Sequence, residues 1–396
     1  MEEMIYLDNN ATTMVAPEVT EAMMPYFSDY YGNPSSMHDF GGQVAHKVAE
    51  AREKVKEFMG ADSASEIIFT ASGSESANTA IRGVLEANKK QKHIITTKIE
   101  HACVLNLYKL LEKQGYRVTY LSVDNDGNLD PKELEDAVCD ETVLVSMMYA
   151  NNETGIIFPV EKMASLVKKI NPKTKFFVDA VQAAGKINLD VKNTEIDLMG
   201  ISGHKIHAPK GIGALYVRKG TVVMPLILGG HQERGKRAGT ENVPYIIGLG
   251  KACELAQNAL KDEAVRVKAL RDKLENGIIE RIPNARLNAK GPNRVPNTAN
   301  IGFQYIEGEL ILLHMSDAGI CASSGSACTS GSLEPSHVLR AMGVPFTSLH
   351  GSIRFSLSRY TTENEIDAVL DKLPSIIKKL NNLSPFQKEL KELGAL

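Results

Sequence analysis

Short apolar runs alternate with amphipathic stretches along residues 65–217. The runs are rich in β-branched residues, and the stretches between them place apolar side chains at helical spacing, as in 159–171, where Val160, Ala164 and Val167 share one face. Strand and helix in alternation predict an α/β fold with a mostly parallel sheet covered by helices on both faces. The predicted strands are 67–69, 93–97, 118–121, 143–148, 176–178, 198–201 and 214–217.

A smaller α/β unit follows a long helical pattern at 244–282. Between the two lies a stretch rich in Pro and Asn, 282–300, which predicts a loop. We therefore expect an N-terminal segment, 1–16, that packs with the small domain, then a large domain, 17–258, and a small C-terminal domain, 259–396. Further predicted elements are helices at 38–59, 307–317 and 362–380 and strands at 300–303 and 352–357.

Composition and charge narrow the class of protein. Of 396 residues, 43% are hydrophobic and 23% charged, and 45 basic against 48 acidic side chains give a net charge of −3. That balance is typical of a folded globular protein and argues against nucleic-acid or anionic membrane binding. With no signal sequence and no long apolar run, we expect a cytoplasmic protein. The five cysteines include no Cys-x-x-Cys pair, so neither a disulfide framework nor a metal site is expected.

Three polar clusters follow predicted strands, where ligand sites lie in such sheets. Lys205 follows a strand in a glycine-rich turn, a setting that suits an amine presented to a carbonyl cofactor, although a surface lysine is the plainer interpretation. Asp179 ends a buried strand and could pair with a pyridinium nitrogen or merely cap a helix. The small-residue turn 70–78 could cradle a phosphate or form an ordinary capping box. Together the three clusters match the aldehyde, ring nitrogen and phosphate of pyridoxal 5'-phosphate.

Motifs spread over about residues 5–380 carry a family resemblance. They are 6–13, 32–38, 72–78, 100–101, 151–155, 179–182, 202–205, 229–240 and 323–330. In this order they resemble cysteine desulfurases of the NifS/IscS type. The resemblance implies a pyridoxal-phosphate (PLP) enzyme of fold-type I and the class V aminotransferase family, a homodimer with a large PLP-binding domain and a small C-terminal domain that carries the catalytic cysteine loop.

The resemblance also implies a role for each matched residue. Lys205 resembles the Schiff-base lysine, and His101 the residue that stacks on the ring and handles protons. Asn152 and Arg354 resemble the pair that holds the substrate carboxylate, and the resemblance also implies that Asn152 contacts the cofactor. By itself, Arg354 could be a strand residue whose charged end reaches solvent. The remaining cofactor contacts implied are Asp179 at the ring nitrogen, Gln182 at the ring oxygen, Gly73, Ser74, Ser202 and His204 at the phosphate, and Thr240 reaching the phosphate of the partner subunit.

Cys328 lies in a run of serine and glycine, 323–332, that is too polar for a core. The resemblance implies that its thiolate takes the sulfur of L-cysteine as a persulfide, with L-alanine as the other product. An acceptor thiol would then collect the sulfur for iron–sulfur cluster assembly or another sulfur-accepting pathway. The expected partners are therefore a second copy of the chain and an iron–sulfur scaffold or other acceptor protein.

Other functions share part of this pattern. A plain aminotransferase or a β-lyase would use the same cofactor residues, but neither needs a cysteine in such a loop. Selenocysteine lyase chemistry is closer, and nothing in the sequence separates it from desulfuration. A non-catalytic sulfur carrier would be expected to lack Lys205 or Asp179, and both are present.

Overall fold

A mixed sheet lies at the centre of the chain in a computed structural model that describes residues 4–291, 293–324 and 335–396. Within the described part, seven strands form it in the order β2-β8-β7-β6-β5-β3-β4, and every neighbouring pair is parallel except the two made by β8. The predicted α/β class with a mostly parallel sheet is therefore confirmed. The strands are β1 (Ile5–Tyr6), β2 (Ile67–Thr70), β3 (His93–Thr97), β4 (Arg117–Leu121), β5 (Thr142–Met148), β6 (Lys175–Asp179), β7 (Leu198–Ser202), β8 (Gly213–Val217), β9 (Ala285–Leu287), β10 (Thr298–Phe303), β11 (Ile320–Cys321), β12 (Ser323–Ser324) and β13 (Ser352–Ser356).

Helices cover both faces of this sheet, and local capping sets their ends. Ser72 accepts a hydrogen bond from the Glu75 amide at the start of α4, and Gly60 ends α3 in the left-handed conformation that favours glycine. The helices are α1 (Pro17–Met23), α2 (Pro25–Ser28), α3 (Asp39–Met59), α4 (Gly73–Ala87), α5 (Ala102–Lys113), α6 (Pro131–Ala137), α7 (Val160–Ile170), α8 (Val243–Arg281), α9 (Gly308–Asp317), α10 (His337–Ala341), α11 (Phe346–Leu349), α12 (Glu363–Leu383) and α13 (Gln387–Glu392).

The central strands are buried on both faces because their side chains alternate between two apolar cores. In β6, Phe176 and Val178 join the core beneath α3, α7 and α8, while Phe177 joins the core beneath α4 and α5. All three are at most 1% exposed. This explains why the strand reads as a continuous apolar run and not as an alternating one.

A second sheet, in the order β12-β13-β10-β9, belongs to the C-terminal part. It packs with α9 and α12 around a core of its own, which the far half of α8 joins through Leu270, Leu274 and Ile278. The prediction that 282–300 is a loop was wrong in part. Strand β9 falls inside it, because three of its residues pair with β10 at the edge of this sheet.

The N-terminal segment ties the two parts together. Strand β1 pairs with β11 in parallel, and the side chains of Ile5 and Leu7 enter the C-terminal core. Asn10 then donates from its side-chain amide to Thr298 Oγ1 at 2.8 Å and accepts from Asn297 at 3.0 Å, while its main-chain N–H donates to Ser356 Oγ at 2.9 Å.

The carboxyl ends of β2, β3, β5, β6 and β7 meet at one edge of the central sheet. Polar residues follow each of these strands, so the predicted site residues on them lie at this edge of the sheet. Across the described residues, no helix is both long enough and apolar enough to pass through a bilayer.

Candidate active site

A cavity of about 280 Å³ lies at the carboxyl edge of the central sheet. Its wall also includes residues from the N-terminal segment and from β13, so every major part of the fold contributes to it. The sequence-predicted residues that line it are Gly73, Ser74, His101, Asn152, Asp179, Gln182, Ser202, His204, Lys205 and Arg354. The fold thus brings together ten residues that are dispersed over 282 residues of sequence.

Asp179 is the last residue of β6 and is 8% exposed. Its Oδ1 accepts a hydrogen bond from the Val181 amide at 3.0 Å. Burial raises the pKa of the carboxyl group, and the nearby His101 and Lys205 oppose that shift. A buried carboxylate at the cavity wall is suited to a cationic group of a ligand.

Lys205 ends the short turn that follows β7. Its Nζ donates to two consecutive main-chain oxygens, those of Asn10 and Ala11, each at 2.6 Å. Gln182 donates to the same Asn10 oxygen at 3.0 Å. Sequence reasoning missed this role of the N-terminal segment, because main-chain carbonyls leave no mark in the residue pattern.

His101 caps the N-terminus of α5, which holds its ring at the cavity wall. The main-chain N–H of Cys103 donates to His101 Nδ1 at 3.2 Å, and the Cys103 sulfur lies 3.1 Å from the same nitrogen. Burial raises the pKa of the Cys103 thiol, so it is protonated near neutral pH. Sequence reasoning gave Cys103 no chemistry; its place two residues after a capping histidine is the signal that could have found it.

The turn between β2 and α4 forms the floor of the cavity. A Cβ atom on Gly73 would lie 2.7 Å from Val181 Cγ2, so a larger residue would force Val181 or the turn to shift. Ser74 and the buried Ser202 line the cavity beside it. Because Gly73 and Ser74 begin a helix of 15 residues, amides and hydroxyls converge here as in anion sites.

His204 stands next to Lys205 in the same turn. Burial, with Lys205 and Lys210 nearby, lowers the pKa of His204 to about 4, so the ring is neutral at physiological pH. Its Nδ1 lies 3.1 Å from Thr12 Oγ1. A neutral imidazole is suited to donate a hydrogen bond without adding charge.

Arg354 enters the cavity from β13 and is 3% exposed. Its Nη2 lies 2.8 Å from Asp8 Oδ1, and Nη1 donates to the Asn152 carbonyl at 3.1 Å. Its Nε is buried and has no hydrogen-bond partner among the described residues. A guanidinium with an unused donor is suited to a carboxylate ligand.

Two predicted residues do not line this cavity. Thr240 is exposed in the segment before α8, and its contact to another subunit stays a prediction. The same segment is held to α4 by an ion pair between Arg237 Nε and Glu75 Oε1 at 2.9 Å. Cys328, the predicted sulfur nucleophile, lies outside the described residues.

The cavity fits pyridoxal phosphate. The turn that begins with Gly73, the buried Asp179 carboxylate and Lys205 all line it, and a Cβ atom on Gly73 would crowd Val181. These are the three groups that the phosphate, the ring nitrogen and the aldehyde of PLP require.

The sequence matches the class-V aminotransferase family over residues 5–369. The chain belongs to that family, whose cysteine desulfurase members depend on PLP. Among curated relatives, it is 60% identical to "Cysteine desulfurase 2" of Trichormus variabilis, over 97% of this chain and 96% of the relative. It is 53% identical to "Cysteine desulfurase NifS" of Azotobacter vinelandii, over 96% and 94% of the two chains.

Solved structures agree with these relatives. A NifS-like protein superposes with a TM-score of 0.90 at 41% identity, covering 96% of this chain and all of the other. The apo cysteine desulfurase of Thermococcus onnurineus gives a TM-score of 0.85 at 26% identity, covering 95% of each chain. The predicted fold-type I architecture and the resemblance to NifS/IscS-type desulfurases are both confirmed.

Proposed function

We propose that this chain is a PLP-dependent cysteine desulfurase, a sulfurtransferase that converts L-cysteine to L-alanine and carries the sulfur as a persulfide on Cys328. One observation carries the proposal: Lys205, Asp179 and Arg354 line one cavity whose lining includes the Gly73 turn. Lys205 would meet the aldehyde of the cofactor, Asp179 its ring nitrogen and the Gly73 turn its phosphate. Arg354 would meet the substrate carboxylate. The family and its 60% identical desulfurase relatives support the same reaction.

Each end of the cofactor has protein groups that would hold it. Gly73, Ser74, Ser202 and His204 would bind the phosphate, Asp179 the ring nitrogen and Gln182 the ring oxygen, while His101 would stack on the ring and Asn152 would touch it. When bound, PLP supplies an aldehyde for the substrate amine and a ring that takes up electron density from Cα.

The chain's own residues then bind the substrate and move its protons. Arg354 and Asn152 hold the cysteine carboxylate, which orients Cα toward the Lys205 amine. Lys205 takes the Cα proton. His101, which also lines the cavity, is placed to move a second proton. The Cys328 thiolate attacks the substrate sulfur; the new S–S bond forms as the Cβ–S bond breaks. The electron pair stays with Cβ, which takes a proton to become the methyl group of alanine, and Lys205 returns a proton to Cα.

The experiment measures alanine and sulfide from L-cysteine with a thiol reductant, using protein with a visible cofactor band. Equal amounts of the two products would support desulfuration. Cys328→Ala should keep the band and lose turnover, whereas Lys205→Ala should lose the covalent bond to the cofactor. Cys139→Ala is the matched control, because Cys139 is a free thiol beside Arg117 and His93, outside the cavity. A bound cofactor without alanine would overturn the assignment of Cys328.

The proposal includes a homodimer in which Thr240 reaches the phosphate in the partner's cavity. Exposed apolar side chains in the stretch that precedes Thr240 in the sequence support it: Val222 is 63% and Leu228 is 80% exposed. Sedimentation should give twice the chain mass, and Thr240→Ala should weaken cofactor binding without dissociating the dimer. The division into 1–16, 17–258 and 259–396 belongs to the same proposal and is supported by the separate C-terminal core.

We further propose a cytoplasmic location and a protein acceptor for the sulfur, such as an iron–sulfur scaffold. The four described cysteines are free thiols, as is usual in a reducing compartment. Mixing the persulfidated enzyme with candidate acceptors and following sulfur by mass spectrometry would identify the acceptor.

A further inference from the structure

Lys186 lies four residues after Gln182, in the turn that follows β6, and Gln182 lines the cavity. Its Nζ donates to Gln182 Oε1 at 2.9 Å, and part of its side chain lines a second cavity of about 40 Å³. None of the roles above uses this lysine. A lysine in such a place is costly unless it serves the site, because ammonium groups are strongly hydrated.

The Gln182 amide is held in one orientation from both ends. The Lys186 ammonium can only donate, so it must face the amide oxygen. The Asn10 main-chain oxygen can only accept, and it lies 3.0 Å from Gln182 Nε2. Nε2 carries two hydrogens, so the second remains for a ligand in the cavity that Gln182 lines. Among the described residues, Lys186 alone donates a hydrogen bond to Gln182 Oε1, so its loss removes the contact that holds the amide oxygen.

The same chain of contacts reaches Lys205. The Asn10 oxygen accepts from Gln182 and also from Lys205 Nζ, the latter at 2.6 Å. Asn10 itself is fixed by Thr298 and Ser356. Hydrogen bonds therefore join Lys186 to Lys205 through one amide and one carbonyl, without a gap.

The charges around Lys186 also indicate that this lysine serves the site. Burial, with Lys205 and Arg354 nearby, lowers the pKa of Lys186 to about 7. When it is protonated, Lys186 is a third cation near Lys205 and Arg354, beside a cavity whose lining acid is Asp179. An apolar side chain at position 186 would avoid that repulsion, so packing alone does not explain a lysine here.

We propose that Lys186 is a positioning residue for the reaction. Through Gln182 it holds an amide hydrogen toward the cavity, where that hydrogen would meet the cofactor's ring oxygen, and through the shared Asn10 carbonyl it sets the place of the Lys205 amine. The proposal rests on the proposed function only in taking PLP as the ligand.

A double-mutant cycle on cofactor binding tests this. Apoprotein of Lys186→Met should bind PLP about tenfold more weakly, as expected when a hydrogen bond to a buried polar group is lost, and its visible band should move. In a Gln182→Leu background, Lys186→Met should have no further effect on either readout, because its action passes through Gln182. Lys192→Met is the matched control, since Lys192 is exposed and pairs with Asp62; it should leave both unchanged.

Two results would overturn the proposal. The first is that Lys186→Met binds PLP with wild-type affinity and shows the wild-type band. The second is that Lys186→Met has the same effect in the wild type and in Gln182→Leu, which would mean that Lys186 acts by charge alone. Thermal unfolding of each apoprotein excludes a general loss of structure. Because these readouts need no turnover, they separate this proposal from desulfuration, which alanine release tests independently.

Discussion

Arg354 and Asp8 form an ion pair in which Nη2 and Oδ1 are 2.8 Å apart. The acid holds the guanidinium in place, and it also neutralises part of the charge that would attract a substrate carboxylate. The two effects can be separated, because asparagine keeps an oxygen acceptor and removes only the charge.

Asp8→Asn should therefore lower KM for L-cysteine several-fold with little change in kcat. The physical reason is that about 1 kcal/mol of competing charge interaction is removed while the orientation of Arg354 is kept. Asp8→Ala removes both effects and should raise KM. Steady-state alanine formation measures both; the same KM in Asp8→Asn and Asp8→Ala would contradict this account.

The Cys103 thiol should tune the protonation of His101. A protonated thiol that donates to Nδ1 opposes protonation of that nitrogen, so Cys103→Ala should shift the acid limb of the kcat/KM profile to higher pH. Cys103→Ser keeps a donor and should restore the wild-type profile. Profiles of the three proteins between pH 5 and pH 9 provide the check, and a common profile would show that the 3.1 Å contact has no influence.

Glu100 should make the stability of the apoprotein depend on pH. Burial raises the pKa of Glu100 to about 8, against hydrogen bonds from Met148 and Thr97 that lower it. The pKa of Glu100 is higher in the folded protein than in the unfolded chain. The protonated side chain therefore favours folding at low pH, and this contribution to the free energy of unfolding is lost as the pH rises toward 8.

Glu100→Gln removes this ionisation and can still accept both hydrogen bonds. Its advantage in free energy of unfolding over the wild type should grow from about pH 5 to about pH 8, reaching on the order of 1–3 kcal/mol. Chemical denaturation of the apoproteins across that range measures the difference. A difference that stays constant with pH would mean that Glu100 does not titrate in this window.

The ion pair of Arg237 and Glu75 should support the phosphate turn. Arg237→Met leaves the Glu75 carboxylate unneutralised near the phosphate, so PLP should bind roughly threefold to tenfold more weakly, since the pair is partly buried. Adding Glu75→Gln removes that charge and should recover most of the affinity. Titration of the apoproteins with PLP measures this affinity. If the double variant binds PLP no better than Arg237→Met, the electrostatic explanation is excluded.

The sequence predicted the central sheet well because its strands are buried on both faces and read as apolar runs. Asp179 and Lys205 could be placed at one site because Asp179 ends one such strand and Lys205 lies in the short turn after another. Strands β1 and β11 were not predicted, since two residues each give no periodic signal.

Contacts made through the main chain could not be predicted. Lys205 binds the carbonyls of Asn10 and Ala11, and any residue type supplies a carbonyl. The pairing of Gln182 with Lys186 was hidden for another reason: the fourth-residue spacing is common, and only the cavity gives it meaning.

The N-terminal segment also limits when the site can form during synthesis. Asn9 donates to the carbonyl of Ser356, 347 positions later in the chain. At translation rates of about 5–20 residues per second, its partner emerges roughly 17–70 s afterwards. Until then, Asn10 lacks its contact with Ser356, so the large domain of the nascent chain can complete its own sheet before the segment that binds Lys205 is fully fixed.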